Sequence, residues 1–270
     1  MTAAQTPDEI EASRAPLLDH LMELRNRLWV ACAALFVAFL ACFPFSKTIF
    51  LFLIEPFKEA ILITRGPEAA SKGVEMVYQA PFESFLANMK VTLFAAIIIA
   101  FPVIAYQLYA FVAPGLYKHE RKAVAPFLFA APVMFLAGGA FVFFIAMPFA
   151  LRFALQQEVT APGVTIHYLP KVDEYLGLVT TLVLAFGAVF QVPVVLALMA
   201  QTGMVGATVL RKGRRYAVLA IAAFSALVTP PDVISMTMMA LPVYLLYEIS
   251  ILIVWLIEKA RLKREAAEAS

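Results

Sequence analysis

The chain has 270 residues, 63% of them apolar and only 15% charged, against about half and about a quarter in an average soluble domain. That balance excludes a disordered chain, and a formal net charge of +2 excludes nucleic-acid binding by bulk charge. The apolar residues gather into runs of roughly 17 to 27 residues, about the length a helix needs to cross ~30 Å of hydrocarbon. The sequence therefore predicts an all-α polytopic membrane protein, a single integral membrane domain over 1–270.

Residues 1–16 read as a flexible cytoplasmic tail. Residues 17–28 read as an amphipathic lead-in helix, because Leu17, Leu21, Leu24 and Leu28 recur at helical spacing and leave Glu23 and Arg25 on the polar side. Asp8, Glu9, Glu11, Asp19 and Glu23 precede the first apolar run, the wrong charge for a signal-peptide n-region, so the first span is expected to remain as an uncleaved anchor. Six transmembrane helices follow at about 28–45, 91–112, 123–151, 176–202, 216–228 and 233–257, with 258–270 as a cytoplasmic tail. The fifth is odd, since a 13-residue helix rises only ~20 Å and falls short of a normal bilayer core. Pro44, Pro102, Pro132, Pro148, Pro193 and Pro242 lie in or beside the spans. Each removes a backbone donor and tends to kink its helix, which predicts a curved wall of helices over a straight bundle.

Orientation follows from the cations. With the N-terminus in the cytoplasm, 14 of the 21 Lys and Arg fall on that side, in the clusters around Arg25, Lys118, Arg211 and Lys259. The other seven are spread over longer loops on the outer side: about 45 residues after the first span and about 24 after the third. The tight turn Thr229-Pro230-Pro231-Asp232 is also outer. Both termini are thus expected in the cytoplasm.

Cys32 and Cys42 share one run and would lie about 15 Å apart along a helix, too far for a disulfide. All three histidines, His20, His119 and His167, fall outside the spans, and H-E-x-x-H, G-x-G-x-x-G and Walker loops are absent. No enzyme activity, cofactor or metal is expected.

What remains is a set of acids in unusual places. Glu23 either pairs with Arg27 at i, i+4 or serves a site. Glu120 is a lone acid among Lys118, Arg121 and Lys122, which pairs with these neighbours or awaits a cation from outside. Glu248 lies about 15 Å into the membrane from the basic end of the last span. Such acids usually face a partner, a cavity or a proton path, or are protonated and bonded to a neighbouring helix. Gln191 in the fourth span poses the same question without charge. Asp232 opens the last span, where helix capping is the plain reading.

Taken together, five stretches are more specific than any one residue. H-L-x-E-L-R-x-R-L precedes the first span, P-V-x-x-Y-Q-x-x-x-F-x-x-P-x-L-Y-x-H-E-R crosses the end of the second, and F-Q-V-P-V lies in the fourth. R-K-x-R-R-Y-x-V opens the fifth and T-P-P-D precedes the sixth. In this order they resemble the TatC family of the twin-arginine protein translocase, over roughly Leu17 to Ile257. The resemblance implies a receptor in the bacterial cytoplasmic (inner) membrane that recognises the paired arginines of signal peptides on folded cargo. It also implies assembly with the single-span subunits TatA and TatB, a homo-oligomer within the receptor complex, and transport driven by the proton-motive force without nucleotide.

Carried over by position, Glu23 and Glu120 look like the carboxylates that face the signal-peptide arginines, with Arg25, Phe111, Pro114 and Leu116 shaping the site. Pro56, Phe82 and Asp232 match outer-side positions, and Glu248 matches an acid of the last span. Gln191 departs from members that carry Glu there, and Met236 from members that carry a glutamine. The short fifth span and its turn suggest that Leu227, Val228, Thr229, Ser235 and Met236 lie near a partner helix. The alternative reading is a secondary transporter of a small solute with Gln191 and Glu248 at a midplane site, although such proteins favour a clear inverted repeat.

Overall fold

The computed structural model describes residues 7–67, 73, 75–112, 121–161, 164–166, 169–229 and 233–268. Helix α1 runs over Pro7–Cys42 and continues through a 3-10 turn at Phe43–Phe45 into α2, Ser46–Arg65. Then come α3 (Glu83–Val112), α4 (Arg121–Phe141), a π-helical turn (Val142–Ala146) and α5 (Met147–Gln156). Strands β1 (Val159–Ala161) and β2 (Val164–Ile166) pair antiparallel, with Thr160 opposite Thr165. The chain ends in α6 (Val172–Val189), α7 (Val192–Gln201), α8 (Ala207–Val228) and α9 (Val233–Glu268). Apart from the three-residue strands the fold is all-α. Five segments are long and apolar enough to cross a membrane: His20–Arg65, Glu83–Phe111, Pro126–Gln156, Val172–Gln201 and Val233–Lys263. Large apolar side chains on the outer surfaces of these helices, such as Phe129, Leu108 and Phe36, are exposed, as lipid-facing residues are.

Several boundaries differ from the sequence reading. The lead-in helix and first span are one helix that starts at Pro7, ten residues before Leu17. Half of the expected outer loop is α2, whose Leu53, Ile54, Phe57, Ala60 and Ile61 are buried at helical spacing while Glu55, Lys58 and Glu59 stay on the outer face. The charges Glu55, Lys58 and Glu59 in mid-helix hide such a helix from a search for unbroken apolar runs.

The third span breaks into α4 and α5. Pro148 cannot donate to the carbonyl four residues back, and the wide π turn just before it absorbs the mismatch. The fourth breaks at Phe190-Gln191, because Pro193 in the first turn of α7 likewise has no N–H to give. The fifth helix has 22 residues and rises about 33 Å; only its apolar half is short, since Arg211, Lys212, Arg214 and Arg215 occupy the other half. At the C-terminal end α9 continues to Glu268 through most of the expected tail.

The main core joins α2, α3, the α4–α5 segment and α6. Phe57, Leu53, Met147, Leu155, Leu176, Leu182, Val142 and Phe186 are all under 2% exposed or at that limit. Between lipid-facing helices this packing acts through van der Waals contact, and it favours small residues where backbones approach. A Cβ on Gly138 of α4 would come within 2.7 Å of the Phe186 carbonyl oxygen of α6, and one on Gly187 within 2.6 Å of the Phe135 ring.

Polar stitches close the end of the molecule that holds the starts of α3 and α6. Tyr175 donates its hydroxyl proton to the Leu53 carbonyl at 2.7 Å, Lys90 pairs with Asp173, and the Val172 N–H bonds the Val77 carbonyl at 3.1 Å. Arg65 pairs with Glu158, and Arg152 with Glu59 at 3.3 Å, tying α2 to the end of α5. Helix α1 packs chiefly on α3, and α7 and α8 pack on α9, with the main core between these two groups. The result is a wall of kinked helices.

Candidate functional site

Small residues set the α1–α3 contact: Ala38 of α1 and Ala96 and Ala100 of α3 are buried together, with Leu35, Phe39 and Ile104 around them. The close backbone approach carries the start of α1 alongside the end of α3, where the His20 imidazole stacks on the Phe111 ring with centroids 4.4 Å apart and planes 20° apart. Two segments just over ninety residues apart in sequence therefore meet at one end of the wall.

Beside this stack lies a shallow, open groove of about 410 Å³ lined by Met22, Glu23, Asn26, Arg27, Val30 and Gln107. Glu23 is half-buried. Among the described residues it accepts from Arg27, at 3.0 Å from Nε and 2.5 Å from the second guanidinium nitrogen, and both bonds land on Oε1. Oε2 accepts no hydrogen bond among the described residues. A carboxylate held from one side only can still receive a further guanidinium on its free oxygen. Arg25 is exposed and donates to the Asn26 side chain at 3.3 Å. Gln107 was missed as a site residue, although the motif P-V-x-x-Y-Q contains it; its helical offset of four from Phe111 was the available signal. Pro114, Leu116 and Glu120 lie outside the described residues, as does Asp232.

Gln191 and Glu248, the polar span residues singled out in the sequence, are both engaged. Gln191 sits at the α6–α7 break, where its backbone N–H turns to the Ala188 carbonyl at 3.0 Å. Its side-chain amide then donates to the Gly187 carbonyl at 3.4 Å and, across to α4, to the Ala131 carbonyl at 3.1 Å. Glu248 of α9 accepts from Arg214 of α8 at 2.7 Å on Oε2 and from the Tyr244 hydroxyl at 2.9 Å on Oε1. Arg214 was not singled out in sequence because it looked like one more member of a topogenic cluster.

Elsewhere, Pro56 is buried inside α2 and Phe82 is 77% exposed just before α3. Of the residues expected near a partner helix, Leu227 is 85% exposed and Met236 and Val228 are half-buried. Thr229 and Ser235 are buried within this chain, the Thr229 hydroxyl donating to the Ser225 carbonyl at 2.7 Å. Among the described residues no three His, Cys, Asp or Glu side chains cluster as metal ligands would.

A family model, the Sec-independent protein translocase protein TatC, matches residues 19–242. The chain belongs to the TatC family. It is 42% identical to the Sec-independent protein translocase protein TatC of Magnetococcus marinus over 94% of this chain and 89% of that one. With the TatC protein of Helicobacter pylori strain 26695 it shares 35% identity over 90% of this chain and 89% of that one. A crystal structure of the twin-arginine translocase receptor TatC superposes with a TM-score of 0.73 at 36% identity, covering 88% of this chain and 99% of that one. A second, in DDM, gives the same TM-score and identity over 86% and 98%. The chain is thus a multi-pass membrane protein and a component of the Tat protein translocase, a family of transport proteins.

Proposed function

We propose that this TatC protein is the signal-peptide receptor and core subunit of a twin-arginine translocase, exporting folded proteins across the bacterial cytoplasmic membrane at the expense of the proton-motive force. The observation that carries the reading is the groove beside the His20–Phe111 stack, lined by Glu23, whose Oε2 accepts no hydrogen bond among the described residues. Two separated carboxylates, Glu23 and Glu120, suit two guanidinium groups, because arginine presents a planar fork to each and lysine does not. Arg25, Phe111, Pro114 and Leu116 are proposed to shape the same cytoplasmic surface. Arg27 is then an internal stand-in that holds Glu23 oriented until cargo arrives.

The same reading sets both termini in the cytoplasm, supported by the 14 cations of the basic clusters, and makes the whole chain one membrane domain. The partners are TatA and TatB, whose single helices would meet the exposed edge at Leu227, Val228 and Met236, with Thr229 and Ser235 shaping that edge from within. Further copies of this chain would complete the receptor complex. Pro56, Phe82 and Asp232 belong to its outer side. A small-solute path is disfavoured, since Gln191 is bonded to backbone carbonyls and Glu248 to Arg214. The test is binding of a twin-arginine signal peptide and its twin-lysine counterpart to the purified protein in nanodiscs. The reading expects at least about tenfold weaker binding of the lysine peptide; equal affinities would overturn it.

A further inference from the structure

A second groove, about 500 Å³ in volume, lies between the start of α8 and the end of α9, far in sequence from Glu23 and Gln107. Its walls carry three cations, Arg211, Lys259 and Lys263, together with Thr208, Trp255 and Leu262. On α9 the residues 255, 259, 262 and 263 share one helical face, and on α8 residues 208 and 211 face them. The Lys259 ammonium sits over the Trp255 ring, 5.1 Å from its centroid. None of the three cations has a carboxylate partner among the described residues. The single acid in the groove, Glu258, is already committed: its Oε2 accepts the Ala207 N–H at 3.2 Å and holds the first turn of α8.

The groove therefore has an excess of positive charge that no ion pair among the described residues neutralises. It also sits where the apolar run of α9 ends. Leu252, Leu256 and Leu262 are exposed on the same stretch, and Trp255 is of the type that marks the headgroup level. A free anion would use the cations alone, whereas a ligand with an anionic head and apolar tails would use both surfaces. We propose that this groove binds the phosphate headgroup of an anionic phospholipid, with Arg211, Lys259 and Lys263 on the phosphate and Trp255 at the glycerol level. Basic pockets between transmembrane helices suit such headgroups through combined charge and hydrogen bonding. This assignment is independent of the receptor reading, and neither fails with the other.

The full-length protein in detergent would be titrated with phosphatidylglycerol or phosphatidylcholine, with lipid retention read by native mass spectrometry. The expected result is preferential retention of phosphatidylglycerol, with affinity on the order of 10- to 100-fold lower in the triple variant Arg211→Gln, Lys259→Gln, Lys263→Gln. The control Lys212→Gln, Arg215→Gln removes two neighbouring cations outside the groove and should change affinity less than about threefold. In the unmodified protein, which needs no variant to fold, raising salt should weaken phosphatidylglycerol retention and leave phosphatidylcholine unchanged. Equal retention of both lipids, equal losses in triple and control variants, or saturation of the groove by inorganic phosphate at the same concentration would each overturn the proposal.

Discussion

Neutralising Glu248 separates two roles for an acid inside a span, an ion-pair partner or a proton carrier. The Glu248 side chain is 27% exposed and that of Arg214 48%, with 2.7 Å between them. Two limits bracket the pair: exposed ion pairs are worth at most about 1 kcal/mol, and truncating one member of a desolvated, hydrogen-bonded pair costs about 2 to 5 kcal/mol. Glu248→Gln keeps an oxygen for the Tyr244 hydroxyl and frees an arginine long enough to reach the interface, so it should cost only about 1 kcal/mol. Arg214→Gln strands a largely enclosed carboxylate with Tyr244 alone and should cost about 2 kcal/mol. The double variant should be less destabilised than the sum by about 1 kcal/mol. Thermal unfolding of the purified protein at fixed detergent and lipid reads all three, with about 2 to 4 °C per kcal/mol expected at this size. Strictly additive losses would refute the ion pair. Export by Glu248→Gln should track its folded fraction; a stable variant that cannot export would mean that the carboxylate does chemistry the pair does not explain.

Three further outcomes follow from the geometry. Gly138→Ala drives a methyl group to 2.7 Å from the Phe186 carbonyl oxygen and Gly187→Ala to 2.6 Å from the Phe135 ring, and unfolding measurements should show losses of about 1 to 3 kcal/mol for each. Arg27→Gln removes the internal partner of Glu23 and should strengthen twin-arginine peptide binding up to about fivefold, the worth of an exposed pair; weaker binding would make Arg27 part of the peptide site. In a Cys32→Ser, Cys42→Ser background, a cysteine at Gly73 should react with an impermeant reagent from outside intact cells and one at Lys212 only after permeabilisation; the reverse pattern would invert the proposed orientation.

The apolar runs made the kind of helix and the rough places of most spans readable, because a run of 18 or more apolar residues is long enough to cross a bilayer. Helix α2 was not readable by that signal, since Glu55, Lys58 and Glu59 interrupt it; its periodic buried face at Leu53, Ile54, Phe57, Ala60 and Ile61 was the evidence to weigh. The breaks near Phe190 and Val142 were foreshadowed by Pro193 and Pro148, but a proline shows only that a donor is missing and not how the chain recovers the bond. Here the Gln191 side-chain amide donates to the Gly187 carbonyl that its own backbone N–H leaves, and also reaches Ala131 on another helix, a tertiary contact that periodicity cannot express. The Glu23–Arg27 pair was legible from its i, i+4 spacing. The adjacency of His20 and Phe111 was not, because it depends on how closely Ala38, Ala96 and Ala100 let α1 and α3 approach. For the same reason Arg214 was legible as a topogenic cation and not as the partner of Glu248.

Whether Glu23 and Glu120 receive the two arginines of a signal peptide is read by a double-mutant cycle between each carboxylate and each arginine. Affinities of unmodified and lysine-substituted peptides would be measured for the unmodified protein, Glu23→Gln and Glu120→Gln in nanodiscs. The account predicts that each carboxylate substitution costs about 2 kcal/mol or more with the twin-arginine peptide. For each it also predicts a coupling of at least about 1 kcal/mol to one arginine. Losses that add within about 0.5 kcal/mol for every pair would contradict it and leave both acids with purely structural roles.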